Sequence, residues 1–219
     1  MKKKIPYKVL IPFILLFAFF LITTYSVLRG YTLSVDRLIV ENIAAFHTDL
    51  LTKMMRFFSF IGATRPVIVI SLLFLGVIYL KYRRLQDVIL FALVSLGSVT
   101  LNVVLKMTIK RERPESSLIV ESGYSYPSAH TMAAVSLYGM IIYLLWKHTS
   151  TVTARIILIT FGVSMILMIA FSRIYLGVHY ASDIIGGVLL SSLWLLISLS
   201  IFQRYRKKEK KKSTQKDTC

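Results

Sequence analysis

The stretch IIGGVLLSSLWLLISLSIF, residues 184–202, contains no Asp, Glu, Lys, Arg or His. A helix that crosses a bilayer needs about 20 mostly apolar residues, so this stretch is long enough to span a membrane. Five other segments also lack ionisable side chains, namely Val9–Leu28, Pro66–Leu80, Val88–Leu105, Met132–Trp146 and Ile156–Phe171. The shorter ones need flanking residues to cross completely. The sequence therefore predicts an all-α membrane protein, a six-transmembrane-helix bundle.

The composition is that of a membrane protein and argues against an ordinary soluble domain. Hydrophobic residues make up 56% of the 219 residues, mean hydropathy is +0.68, and the formal net charge is nevertheless +17. Apolar spans with basic ends explain both properties. The lysines gather at the two termini, with no basic face interleaved with aromatic residues, so we expect no nucleic acid partner. The length predicts a single domain, residues 1–219.

The distribution of basic residues predicts the orientation in the membrane. If both termini are cytoplasmic, 17 of the 27 lysine and arginine residues fall on the cytoplasmic side, as the positive-inside rule expects. The N-terminal MKKKIPYKVL then begins an uncleaved signal anchor, and residues 203–219 form a solvated, disordered basic cytoplasmic tail. The single cysteine, Cys219, can form no disulfide within the chain and does not lie where a prenylation signal requires it.

The first outer loop, Arg29–Arg65, carries apolar residues near helical spacing: Val35, Ile39, Ile43, Phe46, Leu50, Met54, Phe57 and Ile61. This spacing predicts one or two interfacial helices whose charged residues face water. His47 lies in this loop, and His148 lies between the fourth and fifth spans. Both are interpreted as incidental surface histidines.

Three clusters of ionisable residues lie next to span ends, all on the outer side in this topology. They are KMTIKRERP at Lys106–Pro114, YPSAH at Tyr126–His130 and SRIYLGVHYASD at Ser172–Asp183. A compact bundle could bring all three together at one site near the membrane surface. That site would contain several cations, two histidines and a carboxylate.

The residue types in these clusters predict a binding site for an anion such as phosphate. Lys106, Arg113 and Arg173 offer positive charge, and an arginine can contact two phosphate oxygens at once. Pro127 suits the first turn of a helix. Residues 128–130 would then lie at the N-terminus of the fourth span, where backbone N–H groups bind phosphate well.

The same clusters also contain a candidate nucleophile and a candidate general acid. His179 and Asp183 are four residues apart and share one face if helical, so the carboxylate can hold one ring nitrogen and leave the other to attack. His130 can donate a proton to a leaving group. Each cluster could also have a purely structural role. The first could be a basic face at the lipid headgroups, the second a histidine at a helix end, and the third an ion-pair network that includes Arg173.

In this order and with these spacings, the clusters resemble the three signatures of the type 2 phosphatidic acid phosphatase (PAP2) superfamily. Those signatures are Lys-x6-Arg-Pro, Pro-Ser-Gly-His and Ser-Arg-x5-His-x3-Asp. Here they read Lys106 to Arg113-Pro114, Pro127-Ser128-Ala129-His130, and Ser172-Arg173 to His179 and Asp183. They span residues 106–183. Glycine is usual at the position of Ala129, whose methyl group lies close to the expected phosphate.

The resemblance implies a role for each matching residue. It implies that His179 is the nucleophile of a phosphohistidine intermediate, that Asp183 orients it, and that His130 is the general acid. It also implies a phosphate-binding set: Lys106, Arg113, Ser128, Arg173 and the backbone at Ala129. No cofactor is implied. We expect no metal, because the sequence has no HExxH and no cluster of carboxylates suited to Mg²⁺.

We therefore expect a membrane lipid phosphatase of a bacterial cell membrane, with its site on the extracytoplasmic face. The lipid substrates considered are undecaprenyl diphosphate, phosphatidylglycerophosphate and phosphatidic acid. The alternative is a membrane transporter or channel with an anion-binding outer site, although such proteins tend to place ionisable residues within their spans. A vanadate-dependent haloperoxidase, whose soluble members share the signatures, and a purely structural membrane protein are further alternatives. The sequence indicates no oligomeric state.

Overall fold

The computed structural model describes the backbone of residues 7–216 and the side chains of residues 10–209. Over residues 7–216 the chain forms eight α-helices and no β-strand. They are α1 (Tyr7–Leu28), α2 (Leu33–Ala44), α3 (Asp49–Ile61), α4 (Thr64–Tyr82), α5 (Leu85–Ile109), α6 (Ala129–Trp146), α7 (Val152–Tyr175) and α8 (Ala181–Lys216). Six of these helices, all except α2 and α3, are long and apolar enough to cross a membrane. The predicted six-span, all-α fold is confirmed.

The boundaries of the helices differ from the predicted segments in a systematic way. The short predicted cores gain polar residues at their ends, so that the spans become Thr64–Tyr82, Ala129–Trp146 and Val152–Tyr175. Helix α8 continues past Phe202 to Lys216, because the basic tail is rich in residues that favour helix. The prediction of a disordered tail is therefore wrong up to Lys216. The residues before Tyr7, where the signal anchor was predicted to begin, and those after Lys216, with Cys219, lie outside the described residues.

Helix α6 lies at the centre of the bundle and packs against α4, α5, α7 and α8. The largest buried cluster joins it to its neighbours and contains Leu90, Phe91, Val94, Ala134, Leu137, Tyr138, Met140, Leu144 and Ile169. On the opposite side of α8, Phe20 of α1 packs against Leu189, Leu190 and Leu193. The indole of Trp194 lies over Gly97 and donates to the Val94 carbonyl at 3.0 Å. A side chain at Gly97 would overlap that ring.

The outer faces of α1, α4, α5 and α7 are covered by large apolar side chains. Examples with more than half of their surface exposed are Ile11, Leu15, Leu72, Leu73, Leu96, Ile157 and Leu167. A soluble protein rarely exposes a contiguous apolar surface of this extent. The surface is therefore the lipid-facing surface of a membrane bundle.

One end of the bundle, here called the site end, collects all three ionisable clusters. Because consecutive spans alternate in direction, the C-termini of α5 and α7 and the N-termini of α6 and α8 all reach this end. The loop 110–128 lies there, and α2 and α3 cover it by packing against α7 and α8. The opposite end, here called the far end, holds the loops 83–84 and 147–151.

Helices α2 and α3 are the two interfacial helices that the first outer loop was predicted to form. The prediction that their charged residues face water is wrong for Asp36, which is only 2% exposed. The apolar face is also rotated from the expected one, since Val35 is 59% exposed whereas Val40 is buried. Asp36 turns inward because its carboxylate pairs with Arg111, a residue of the loop 110–128.

The two histidines outside the clusters behave differently from each other. His47 is not an incidental surface residue, because its Nε2 lies 2.9 Å from the Tyr175 carbonyl oxygen and its ring packs against the Tyr175 ring at 4.6 Å. It therefore ties the segment between α2 and α3 to the end of α7. His148 is exposed, as predicted, and stacks on Tyr82 at 3.5 Å.

Candidate active site

The predicted site residues converge at the site end from four spans and two loops. Lys106 lies in the last turn of α5 and Arg173 in the last turn of α7. Residues 128–130 form the cap and first turn of α6. His179 lies in the connection between α7 and α8, and Asp183 in the first turn of α8. The packing of α6 between α5, α7 and α8 brings these helix ends together.

His179 and Asp183 form a buried pair. The His179 Nδ1 lies 3.4 Å from the Asp183 Oδ2, which also accepts a hydrogen bond from the Tyr180 backbone N–H at 2.9 Å. Their side chains are 1% and 0% exposed. A carboxylate in this position favours the tautomer with the proton on Nδ1 and leaves Nε2 with its lone pair. The imidazole is thus held through Nδ1, with the lone pair on Nε2.

Burial lowers the pKa of His179 to about 4, and the hydrogen bond and charge of Asp183 offset only part of that effect. The positive charges of Arg113 and Arg173 lower it further. At neutral pH the imidazole is therefore uncharged, which is the form that a nucleophile requires. The Arg113 guanidinium lies 3.3 Å from His179 Nε2, so a cation stands beside the ring nitrogen that carries the lone pair.

Lys106 and Arg113 hold the loop 110–128 over the site. Lys106 Nζ donates to the Tyr124 carbonyl at 2.5 Å. Arg113 donates to three more carbonyls, those of Ser122 at 3.1 Å, Gly123 at 2.9 Å and Val178 at 2.8 Å. Burial lowers the pKa of Arg113, but an arginine stays charged in proteins. The two cations thus combine positive charge with a defined loop conformation.

Ser128 is the N-cap of α6 and is fully buried. Its Oγ accepts hydrogen bonds from the Thr131 backbone N–H at 3.4 Å and from the Thr131 hydroxyl at 3.1 Å. Its own N–H donates to the Asp183 carbonyl at 3.2 Å, which joins the starts of α6 and α8. The first N–H groups of a helix have no partner within it, so those of Ala129 and His130 are suited to an anion.

Arg173 is 1% exposed and makes two side-chain contacts. One of its terminal nitrogens donates to the Glu121 Oε2 at 2.5 Å, and the other donates to the Ser59 hydroxyl on α3. Within the described residues its Nε has no hydrogen-bond partner. Burial alone would raise the pKa of Glu121, but the Arg173 charge and hydrogen bond lower it overall, so the pair is ionic.

His130 lies in the first turn of α6 and is partly exposed. It packs beside Gly62 at the end of α3, where an added Cβ would lie 3.4 Å from the His130 Cδ2 and would overlap Ile169. The absence of a side chain at Gly62 lets α3 approach α6 and α7 closely. The cover formed by α3 therefore reaches the second histidine of the site.

Three residues of the site were not predicted as site residues: Arg111, Asp36 and Glu121. Arg111 lies within the first cluster, but it is not in the predicted phosphate-binding set, and the structural interpretation of that cluster makes it part of a basic face at the lipid headgroups. Its guanidinium instead bridges two carboxylates, Asp36 at 2.7 Å and Asp183 at 2.6 Å. Asp36 could have been found, because helical spacing places it on the same face of α2 as Leu33 and Val40. No sequence signal marks Glu121.

A metal centre has no obvious ligands here. Across the part of the chain that the structure describes, no three His, Cys, Asp or Glu side chains are grouped so that they could hold a metal ion. The carboxylates of the site are each paired with an arginine, Asp36 and Asp183 with Arg111 and Glu121 with Arg173. The donor set of the site is therefore that of an anion site.

A groove of about 610 Å³ opens beside the site. Its lining includes the apolar Val27 of α1 and Val40 of α2, and charged side chains of both signs: Arg37, Arg111, Arg113, Glu41, Glu112 and Glu115. It thus runs from the apolar end of the first span to the cations next to His179. Of the charged lining residues, Arg113 is the one that contacts His179.

Comparison with known proteins places the chain in a family. A family model for the PAP2 superfamily matches residues 87–207. Phosphatidylglycerophosphatase B of Bacillus subtilis is 35% identical over 184 residues, which cover 81% of this chain and 88% of that protein. Phosphatidylglycerophosphatase B of Escherichia coli is 33% identical over 87 residues, but these cover only 39% of this chain and 31% of that protein.

Two solved structures resemble this one. The crystal structure of a transmembrane PAP2-type phosphatidylglycerolphosphate phosphatase from Bacillus subtilis superposes with a TM-score of 0.82 at 27% identity, over 88% of this chain and 96% of that one. Aquifex aeolicus LpxE superposes with a TM-score of 0.58 at 20% identity, over 76% of this chain and 95% of that one, and shows only that the fold is shared. The chain is therefore a multi-pass membrane phosphatase that belongs to the PAP2 superfamily.

Proposed function

We propose that this phosphatase removes the terminal phosphate of a membrane lipid through a phosphohistidine intermediate on His179. The observation that carries the proposal is the position of the His179 ring between Asp183 and Arg113. One ring nitrogen lies 3.4 Å from the Asp183 carboxylate, and the other lies 3.3 Å from the guanidinium. A phosphate bound by Arg113 would therefore stand next to the nitrogen that carries the lone pair.

In the first step, the His179 Nε2 lone pair forms a bond to phosphorus while the bond from phosphorus to the lipid oxygen breaks. The electron pair of that bond stays on the lipid oxygen, which takes a proton from His130 and leaves as an alcohol. The Nδ1 proton remains on the imidazole, where Asp183 stabilises the developing positive charge. The product of this step is a phosphohistidine.

In the second step, a water molecule attacks the phosphohistidine. His130, now deprotonated, accepts the water proton, and the electrons of the N–P bond return to Nε2. Inorganic phosphate leaves, and both histidines regain their starting protonation. Lys106, Arg113 and Arg173 supply the positive charge that stabilises the phosphoryl oxygens in both transition states, together with the N–H groups of the α6 N-terminus.

Arg173 supports this role in a specific way. Its buried Nε has no partner among the described residues, and a buried N–H without a partner is costly. A phosphate oxygen would satisfy this donor. Binding would also place the phosphate in competition with the Glu121 carboxylate for the same guanidinium.

Among lipid phosphates, we propose phosphatidylglycerophosphate as the first candidate substrate. The name of the Bacillus subtilis relative supports it, since that relative is similar over 88% of its length. The groove beside the site also supports a lipid that enters from the bilayer, because its lining includes both Val27 and Val40 and the Arg113 that contacts His179. Phosphatidic acid is a second candidate with an alcohol leaving group, and undecaprenyl diphosphate is a third, for which the group that takes the proton and leaves is the lipid monophosphate.

The experiment is a comparison of phosphate release from these three lipids by purified protein in detergent micelles. We expect kcat/KM to be highest for phosphatidylglycerophosphate and EDTA to leave turnover unchanged. Comparable kcat/KM values for all three lipids would contradict the substrate assignment. Turnover that is lost in EDTA and restored by Mg²⁺ would contradict metal independence. No release from any of them would favour the transporter alternative.

We also propose that both termini are cytoplasmic and that the site end faces the extracytoplasmic side. The Lys and Arg distribution supports this orientation. In a Cys219→Ser background, single cysteines at Ser117 in the site-end loop and Ser150 in the far-end loop can be labelled in intact cells. An impermeant reagent should reach position 117 and not 150. The reverse pattern would mean that the topology is inverted.

A further inference from the structure

Arg111 is the most highly connected side chain of the site, although the phosphatase motif does not include it. One terminal nitrogen donates to Asp183 Oδ1 at 2.6 Å and to the Ser182 hydroxyl at 2.7 Å. The other donates to Asp36 Oδ2 at 2.7 Å. The guanidinium also lies over the Tyr180 ring, 4.4 Å from its centroid. It is 10% exposed, so these contacts are shielded from water.

The two oxygens of Asp183 are divided between different partners. Oδ1 is bound by Arg111, whereas Oδ2 faces His179 and accepts from the Tyr180 N–H. A carboxylate held at one oxygen cannot rotate freely about its terminal bond. Arg111 therefore determines which oxygen, at which angle, meets the histidine.

Asp36 holds Arg111 in turn and anchors the same helix start. Its Oδ1 accepts from the Ser182 N–H at 3.0 Å and its Oδ2 from the Ser182 hydroxyl at 2.5 Å, so α2 is bound to the first turn of α8. A carboxylate at a helix N-terminus is also favoured by the helix dipole. Its negative charge balances that of the guanidinium, which leaves the charge of Asp183 available to the imidazole.

We propose that Arg111 and Asp36 are positioning residues for the nucleophile, and that α2 is a working part of the active site. Neither residue is assigned contact with the reacting atoms. They act through Asp183, by holding its carboxylate in the orientation that His179 needs. The inference rests on the proposed function, because it assumes that His179 attacks the phosphate.

The test compares Arg111→Gln, Arg111→Lys and Asp36→Asn with the wild type, using Lys53→Gln as a control that removes an exposed positive charge from α3. Residues that orient metal-binding histidines typically change activity by about 10- to 100-fold, and we expect an effect of that order for a residue that orients a nucleophilic histidine through its carboxylate. We expect kcat for a lipid phosphate to fall by that factor in Arg111→Gln, with KM changed less than threefold. Arg111→Lys should recover part of kcat, and Lys53→Gln should match the wild type.

The pH profile of kcat/KM gives a second readout that a purely structural role would not change. The charged or titratable groups that face His179 are Asp183 of α8, Arg113 of the loop 110–128, Arg173 of α7 and His130 of α6. In Arg111→Gln, the Asp183 charge is no longer shared with an arginine and raises the pKa of His179. The acid limb of kcat/KM should therefore move to higher pH. Without Asp36, the uncompensated Arg111 weakens Asp183, so the limb should move to lower pH.

Arg111→Gln leaves two buried carboxylates, Asp36 and Asp183, without their cation, and the variant can fail to fold. The double variant Asp36→Asn with Arg111→Gln removes that repulsion. We expect it to melt at a higher temperature than Arg111→Gln alone while its kcat stays low. Recovery of folding with low kcat supports the positioning role.

Three outcomes would overturn it. A folded double variant with wild-type kcat would mean that Asp183 needs no positioning. A raised KM with unchanged kcat would make Arg111 a substrate contact. If the acid limb of kcat/KM does not move in opposite directions in Arg111→Gln and Asp36→Asn, and kcat falls only in proportion to the unfolded fraction, then Arg111 and Asp36 only stabilise the fold. His179→Ala, assayed alongside, separates these results from failure of the proposed function, because that failure alone would leave His179→Ala active.

Discussion

The two ends of the helix bundle are both rich in basic residues but use them in different ways. At the site end, Arg111 and Arg173 are buried and pair with carboxylates from distant parts of the chain. At the far end, the basic residues of the loop 83–84 are exposed. The ion pair between Lys147 and Asp87 there is longer, 3.2 Å, and its lysine is 23% exposed.

At the far end, basic side chains contact aromatic rings, which suits the anchoring of helix ends at the membrane surface. Lys147 lies 4.3 Å from the Tyr143 ring centroid, and Arg155 lies 4.7 Å from that of Trp146. Basic and aromatic side chains at a span end anchor a helix at the membrane surface. Charge alone therefore does not identify a functional cation. Both ends pair a basic residue with a carboxylate from another element, so it is the burial of the cation that distinguishes the site end from the far end.

Replacing a histidine at each end tests this comparison with the largest expected effect. His179→Ala should reduce kcat by a factor on the order of 10⁴ or more, because it removes the proposed nucleophile. His148→Ala, at the far end, should retain nearly full activity. Reactions with ³²P-labelled lipid, quenched in alkaline detergent, should show a base-stable, acid-labile phosphoenzyme in the wild type and in His148→Ala. A His179→Ala variant that still turns over normally would refute the assignment.

The second prediction separates the roles of the two site-end histidines. His130→Ala removes the proposed proton donor for the leaving group, and such donors contribute about 10²- to 10⁴-fold. We expect a loss of that size for a lipid phosphate, whose alcohol leaves poorly. The loss should be much smaller for an activated aryl phosphate, which needs little protonation. Equal losses for both substrates would argue against a general-acid role.

The third prediction concerns pH and is expected to be smaller. The pKa of His179 is lowered to about 4 by burial, and attack requires the neutral ring. Protonation therefore removes activity only as the pH falls through about 4, rather than through the ordinary histidine range. The acid limb of kcat/KM for the wild type should lie near pH 4. A limb near 6.5, the ordinary histidine value, would mean that the ring is exposed to water before substrate binds.

The smallest effect is expected at the far end. Lys147→Ala breaks a partly exposed ion pair, and such pairs contribute about 1 kcal/mol or less. We expect a fall of that size in the free energy of unfolding, measured by denaturant titration in detergent, and kcat within twofold of the wild type. A large loss of activity in Lys147→Ala would show that the far end affects catalysis at the site end, which would contradict the proposed difference between the two ends.

The sequence predicted those features that depend on neighbours along the chain. The six spans follow from runs of apolar residues, whose length and hydropathy are local properties. The resemblance to the PAP2 superfamily followed from spacings within three short segments, and family membership is confirmed. The roles of His179, His130 and Asp183 stay predictions until turnover is measured. The N-terminal anchor could not be compared, because it begins outside the described residues.

Only the tertiary structure decided which charged residues support those motifs. Asp36 and Arg111 are 75 residues apart, and Glu121 and Arg173 are 52 apart, so no periodicity links either pair. A charged side chain in a loop outside the spans costs little in water, and its local sequence is the same whether it is exposed or buried. Burial becomes favourable only when the fold brings an opposite charge within hydrogen-bond distance. The helix ends that meet at the site end supply those partners, and this is why the sequence by itself determined the fold and the motifs but not their supporting carboxylates.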